Sequence, residues 1–174
     1  PLLQPAPYDP VRDFSPVTAV INSPNVLVVH PALPARTVRE LIDLAKAKPG
    51  TLNYSSGTVG SSSYLSGELF ASMAGVNMLH IPYKGAAPAL NALLAGEVQA
   101  MVGATGTVAP HVKSGKLRAL AVTSAQPSVL APGLPTLSAS GLPGYEAVQI
   151  LGMFAPAKSP DAVIKRLNQE IVRV

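Results

Sequence analysis

The chain alternates between two kinds of apolar pattern. Asn25 to Pro31, NVLVVHP, is β-branched and apolar with no polar alternation, the mark of a strand buried on both faces. PARTVRELIDLAKAKPG then places Val38, Leu41, Ile42 and Ala45 on one helical face, with Thr37 as N-cap, Glu40 three residues on and Pro49-Gly50 as the stop. TLNYSS reads as a short strand. After it Tyr64, Leu65, Leu69, Phe70 and Met73 recur at helical spacing until Gly75. NMLHIPY is a third strand, and GAAPALNALLAG a helix with Pro88 in its first turn and Gly96 at its end. EVQAMVGA, GTVAPHVKSGK and LRALAVTS follow as strand, helix and strand.

Repeated β-α units with apolar strands predict an α/β fold, a mostly parallel sheet flanked by helices, with ligands gathering at the carboxyl ends of its strands. After Ser124 the pattern breaks into AQPSVLAPGLPTLSASGLPG, a proline- and glycine-rich connection expected to cross between domains. YEAVQILGMFAPA returns as a strand. SPDAVIKRLNQEIVRV reads as an amphipathic helix with Ser159 at N-cap, Pro160 at N1 and Asp161 in the first turn. That helix reaches the last residue without a stop signal, so the chain is expected to be cut there, and at its start as well.

Composition narrows the function. With 48% apolar residues the chain can fill a core, and the absence of cysteine excludes disulfides, thiolate zinc sites and a cysteine nucleophile. A formal charge of +4, bases never clustered beyond pairs and no tryptophan leave nucleic-acid binding unsupported, whereas a small anionic ligand suits the balance.

Three strand-to-helix loops carry the candidate chemistry. In NYSSGTVGSSSYLSGELF the first helical amides face outward at the positive end of the helix dipole. Gly57 and Gly60 let a ligand approach the backbone, and Ser56, Thr58, Ser61, Ser62 and Ser63 add hydroxyls, an arrangement that fits a carboxylate or phosphate. The same residues also read as a flexible loop with an ordinary N-cap. In IPYKGAAPA, Tyr83, Lys84 and Gly85 precede the next helix; Lys84 adds a positive charge, or is a solvated loop residue with Tyr83 a lid on the core. In MVGATGTVAPH, Gly103, Ala104 and Thr105 end the fourth strand, with Gly106 and Thr107 beyond. All three loops are expected along one edge.

Catalytic patterns are thin. VGATGTVA imitates a dinucleotide fingerprint, but the acidic residue that should follow some twenty positions on is missing: no Asp or Glu occurs between Glu97 and Glu146. His30, His80 and His111 have no metal-ligand spacing. His80 can approach the serine loop, yet no G-x-S-x-G elbow surrounds Ser62 or Ser63. No catalytic residue, metal or cofactor is expected. The rival reading is an enzyme, a nucleotide-dependent oxidoreductase or a serine acyl-transfer enzyme working through the same loops.

YDPVRDFSPV, PNVLVVHPALPARTVRELIDLAKAKPG, YSSGTVGSSSYLSGELF, IPYKGAAPALNALLAGEV, GKLRALAVTS and FAPAKSPDAVIKRLN, in this order, resemble the solute-binding proteins of tripartite tricarboxylate transporters, the TctC or Bug family. The resemblance implies a monomeric, exported periplasmic binding protein of type II-like, two-lobed architecture. Such a protein closes on a small carboxylic acid and presents it to membrane transport subunits. It implies residues 1–24 as a remnant of the first lobe with the hinge, 25–124 as the second lobe, 125–143 as the crossing and 144–174 as the return to the first lobe. On that reading half of the binding cleft is missing, and hinges lie near Ser23-Pro24-Asn25 and Ser124 to Pro127. Family members often carry an acidic residue and an asparagine where Gly103 and Ala104 stand, the acid suiting an ammonium group. Its absence here implies a plain mono- or dicarboxylate over an amino acid. The family's usual histidine after the serine run is Tyr64, its tryptophan before the GLFAPA-like stretch is Ile150 or Leu151, and the acid after its PT gives way to PTLSASG.

Overall fold

A computed structural model describes residues 7–173. The chain divides into two compact units, one of the described residues up to Asn22 with those from Gln149 onward, the other of Ser23–Val148. No helix in either is long and apolar enough to cross a membrane.

The larger unit is built on a five-stranded sheet. Strand β1 (Phe14–Val29) enters it from Ser23, and α1 (Val38–Ala47), β2 (Asn53–Ser56), α2 (Ser62–Ala74), β3 (Leu79–Pro82), α3 (Ala86–Leu94), β4 (Ala100–Ala104), α4 (Thr105–Lys113) and β5 (Arg118–Val122) follow. The strand order is β3-β2-β4-β1-β5. β2 runs parallel to both β3 and β4, as repeated β-α units require. β1 runs antiparallel to β4 and to β5, so the sheet is mixed. The reversal follows from β1 entering the unit ahead of the β-α repeats rather than within one of them.

The unbroken apolar run in β1 has a simple cause. Val26 and Val28 point into one core with Leu90, Leu93, Met101 and Val108 under α3 and α4. Leu27 and Val29 point into the other with Leu41, Ile42, Tyr54 and Phe70 under α1 and α2. With both faces of the sheet covered, Val26 to Val29 have no solvent side, and all four are apolar.

The caps follow local chemistry. Thr37 Oγ1 accepts from the Glu40 amide at 3.2 Å, and Glu40 reaches back to the Arg36 amide at 2.6 Å, one residue before the cap itself. Gly75 closes α2 in the left-handed conformation with φ 61°.

In α2 the helical period is right but the buried stripe is not the apolar one. Ser66, Gly67, Phe70 and Ala74 face the sheet, while Leu65, Leu69 and Met73 are exposed. The reason is Tyr54: a Cβ on Gly67 would stand 2.5 Å from its Cε2, so the helix presents its smallest residues to that ring.

The proline-rich stretch after Ser124 packs on this unit. The Val122 amide donates to Pro135 O at 2.9 Å, Leu137 to Val122 O at 3.0 Å and Ala147 to Thr123 O at 2.8 Å. Leu137, Leu142 and Tyr145 belong to the core under α1 and α2. Tyr145 donates its hydroxyl to Ser66 O at 2.8 Å, and burial pushes its pKa up to about 12.

In the smaller unit the first part of β1 pairs with β6 (Val148–Pro156), and α5 (Asp161–Val172) sends Asn168 Nδ2 to Val17 O at 2.8 Å. Its N-cap is Pro160 rather than Ser159, because Pro160 is extended (ψ 137°) while its carbonyl accepts the first helical amides, Val163 and Ile164. Asp161 therefore opens the helix and still meets its positive end.

Candidate functional site

Because β2, β3 and β4 are parallel and adjacent, their carboxyl ends share one edge of the sheet. The serine-glycine loop leaves β2, Tyr83-Lys84-Gly85 leaves β3, and Ala104-Thr105 leaves β4, so the three candidate loops come together there. Asn25 of β1 lies opposite Ala104 on the same edge.

The first loop is fixed by its own side chains. Ser61 caps α2 by accepting from the Tyr64 amide at 3.3 Å, Ser61 and Ser63 hydroxyls lie 3.1 Å apart, and the Gly57 amide reaches Ser63 Oγ at 3.4 Å. Gly60 has φ 88°, a conformation glycine adopts freely. Gly57 is buried, and a Cβ placed on it would come to 3.5 Å from the Gly85 carbonyl carbon, so the first and second loops touch through backbone. Thr58 and Val59 are exposed, and the amides of Thr58, Val59 and Gly60 meet no acceptor among the described residues. Ser62 occupies the first turn of α2, whose leading amides have no partner within a helix.

Other predicted residues are placed differently. Ser56 is fully buried and its hydroxyl is engaged by His80 Nε2 at 2.7 Å. Thr105 is buried and donates to Pro24 O at 2.7 Å. Gly103 is paired with Val26 inside the sheet, and the space of its missing Cβ is taken by Val108 Cγ1, 2.7 Å from it. These three hold the edge together, and their side-chain positions are spent inside the fold. Tyr83 packs on the core under α3, where burial, then the Glu97 carboxylate, raises its phenol pKa, while Lys84 is exposed. Since β4 passes straight into α4 at Thr105, no glycine-rich loop separates them to lie under a pyrophosphate.

Two residues outside the predicted ligand-binding set also stand at this edge. His80, on β3, is sandwiched between the rings of Tyr54 at 5.0 Å and Tyr64 at 4.7 Å, and Tyr54 donates its hydroxyl to Glu68. Burial lowers the His80 pKa, with Glu68 pulling weakly the other way. A base whose folded pKa lies below its unfolded value of about 6.5 takes up its proton first in the unfolded chain. Stability is therefore expected to fall as pH drops from 7 through 6.5 and to level off below the folded pKa. Thermal melts from pH 7.5 to 5 should show a shallower decline in His80→Phe than in the native protein; equal slopes would count against the assignment.

Asn25 is the second. It is 1% exposed, and its Nδ2 has no acceptor among the described residues. A buried amide donor without a partner costs about 1–3 kcal/mol. Asn25→Leu is accordingly expected to keep or raise the melting temperature of the ligand-free protein, whereas loss of several degrees would mean that the amide is satisfied after all.

Comparison with known proteins matches this architecture. Residues 1–173 match the TctC family, described as the tripartite tricarboxylate transporter family receptor. A UPF0065 protein from the tcbD-tcbE intergenic region of Pseudomonas sp. (strain P51) is 39% identical over 166 residues, 95% of this chain and 49% of its own length. Among solved structures, R. palustris Rpa4515 with adipate superposes with a TM-score of 0.89 at 37% identity, covering 94% of this chain and 55% of that one. The periplasmic binding protein BugD superposes with a TM-score of 0.86 at 33% identity, over 94% and 55% of the two chains. The chain thus spans about half the length of the relatives it matches. With one family matching from end to end and the same fold at more than 30% identity, the chain belongs to the tripartite tricarboxylate transporter receptor family.

Proposed function

We propose that this chain forms part of a periplasmic receptor that captures a small organic carboxylate and delivers it, as a monomer, to the membrane subunits of a tripartite transporter. The observation that carries the reading is the convergence of three loops at one sheet edge, with the amides of Thr58, Val59 and Gly60 meeting no acceptor there among the described residues. One carboxylate oxygen pair takes these amides and the start of α2, and the Ser61 and Ser62 hydroxyls flank it. Gly85 and Ala104 border the ligand through backbone, and Lys84 adds long-range attraction that salt weakens. Closure of two lobes about the acid follows from the ligand touching both, with bends at Ser23–Asn25 and Ser124–Pro127.

The reading is non-catalytic. Ser56, the serine paired with a histidine, is fully buried, which leaves it no path to a substrate carbonyl.

The family resemblance implies an acid for an ammonium group at Gly103; here there is none and Val108 fills that space, which favours a simple mono- or dicarboxylate as the ligand. Calorimetry on the intact protein with adipate, malate, benzoate and glutamate tests this. One of the first three is expected to bind, and at about a hundredfold excess over its Kd to stabilise the protein by roughly 2.7 kcal/mol. Tight glutamate binding with no response to the simple acids would overturn the choice of ligand, and a bound acid located away from Thr58–Ser62 would overturn the site.

A further inference from the structure

Ser56 stands at two polar contacts at once. Its Oγ lies 3.2 Å from the Gly57 carbonyl oxygen, to which it donates, and 2.7 Å from His80 Nε2. A serine hydroxyl has one proton to give. With that proton directed at Gly57 O, the contact to His80 is a hydrogen bond only when Nε2 carries a proton and donates to Oγ. One arrangement of the neutral ring therefore satisfies both contacts: His80 Nε2–H to Ser56 Oγ, and Ser56 Oγ–H to Gly57 O.

The consequence lies one peptide further on. The unit joining Gly57 to Thr58 is planar and trans, so a carbonyl turned inward to buried Ser56 turns the Thr58 N–H the opposite way. Thr58 is exposed, and its amide has no acceptor among the described residues. The far side of the loop is tied back to the same ring: Gly57 to Ser63, Ser63 to Ser61, Ser61 to the Tyr64 amide, and the Tyr64 ring against His80. The contacts form a closed circuit with His80 as its only titratable imidazole.

We propose that His80, as its Nε2–H tautomer, is a positioning residue that fixes the direction of the Thr58 amide through Ser56 and the Gly57 carbonyl, and thereby sets the loop's affinity for an acid. The clause on affinity rests on the carboxylate reading above; the hydrogen-bond chain does not. Burial keeps the imidazole neutral near pH 7.5, which is the form the chain requires.

Nitrogen-15 NMR of the unliganded intact protein at pH 7.5 reads the tautomer directly. A protonated Nε2 and a bare Nδ1 on His80 are expected, together with a displaced Thr58 amide resonance in Ser56→Ala; the opposite tautomer, or a Thr58 resonance that does not move, overturns the proposal. Adipate titration reads the affinity. His80→Phe and Ser56→Ala should each weaken binding about 10-fold, the equivalent of one lost hydrogen bond, and the double variant no further than either alone. His80→Gln, whose side-chain amide can still donate to Ser56, should stay within about 3-fold of the native protein. Gln no better than Phe, or losses that add, would sink the positioning role. Native protein that ignores adipate and every other simple acid would remove the carboxylate reading and the affinity clause, while the tautomer still decides the hydrogen-bond chain.

Discussion

Gly67→Val is expected to cost on the order of 3 kcal/mol or more, a large part of the stability of an ordinary domain. The first atom added at this position would stand 2.5 Å from Tyr54 Cε2 and 3.0 Å from Cδ2. The ring cannot step aside, because it is 3% exposed, its hydroxyl is bound to Glu68 and its face lies on His80. Intrinsic helix preference works in the opposite direction, since replacing a mid-helix glycine by alanine ordinarily gains about 1 kcal/mol. Gly67→Ala therefore separates the two effects: destabilisation shows that the contact wins, and stabilisation shows that the ring yields. Urea midpoints at constant slope measure both variants.

Arg118→Met should be nearly as severe, about 3 kcal/mol. The guanidinium donates to three carbonyls of the turn after β1: Ala35 at 3.0 Å, Leu33 at 3.1 Å and Pro31 at 3.3 Å. Hydrogen bonds from a charged donor contribute about 1.5–3 kcal/mol each, less than additively when they share one group. Methionine keeps the stem and loses every donor. Lysine restores charge but not the planar fork, so Arg118→Lys should recover less than half of the loss. If Met and Lys prove equally mild, the turn holds itself and the guanidinium is incidental.

Arg118 also shows what sequence reading can and cannot reach. It lies in GKLRALAVTS, one of the blocks that resemble the receptor family, but nothing in that block says that its arginine clamps a turn more than eighty residues earlier. The strands and helices were legible because their periods are local: β1 is apolar from Val26 to Val29 since two cores meet there, and α1 carries its cap and stop in its own letters. The gathering of three loops followed from β-α repetition alone. The direction of β1 did not, because an apolar run reads the same in either sense. Nor did the inward stripe of α2, which is set by an aromatic ring thirteen residues before Gly67.

Within the candidate site, hydroxyl count was a poor guide to hydroxyl availability. Ser56 and Thr105 carry the right groups but turn them inward to His80 and Pro24, and the site is left with main-chain amides that have no letter in the sequence. Gly103, counted with the third candidate loop, leaves its space to Val108. His80 could be seen to approach the serine loop and Asn25 to stand at a bend, but that one packs between two tyrosines and the other buries an unpaired amide is told only by burial and partners.

The strap that follows β5 bears on protein engineering. Leu137 and Tyr145 are 0% and 1% exposed, and the strap trades main-chain bonds with Val122 and Thr123. A biosensor builder who excised the sheet alone, stopping at Ser124, would strip two plugs from its interior and obtain an insoluble product. A useful module has to carry the chain through Ala147, and a fluorescent reporter is better spliced at the exposed Val129, where the backbone already faces water.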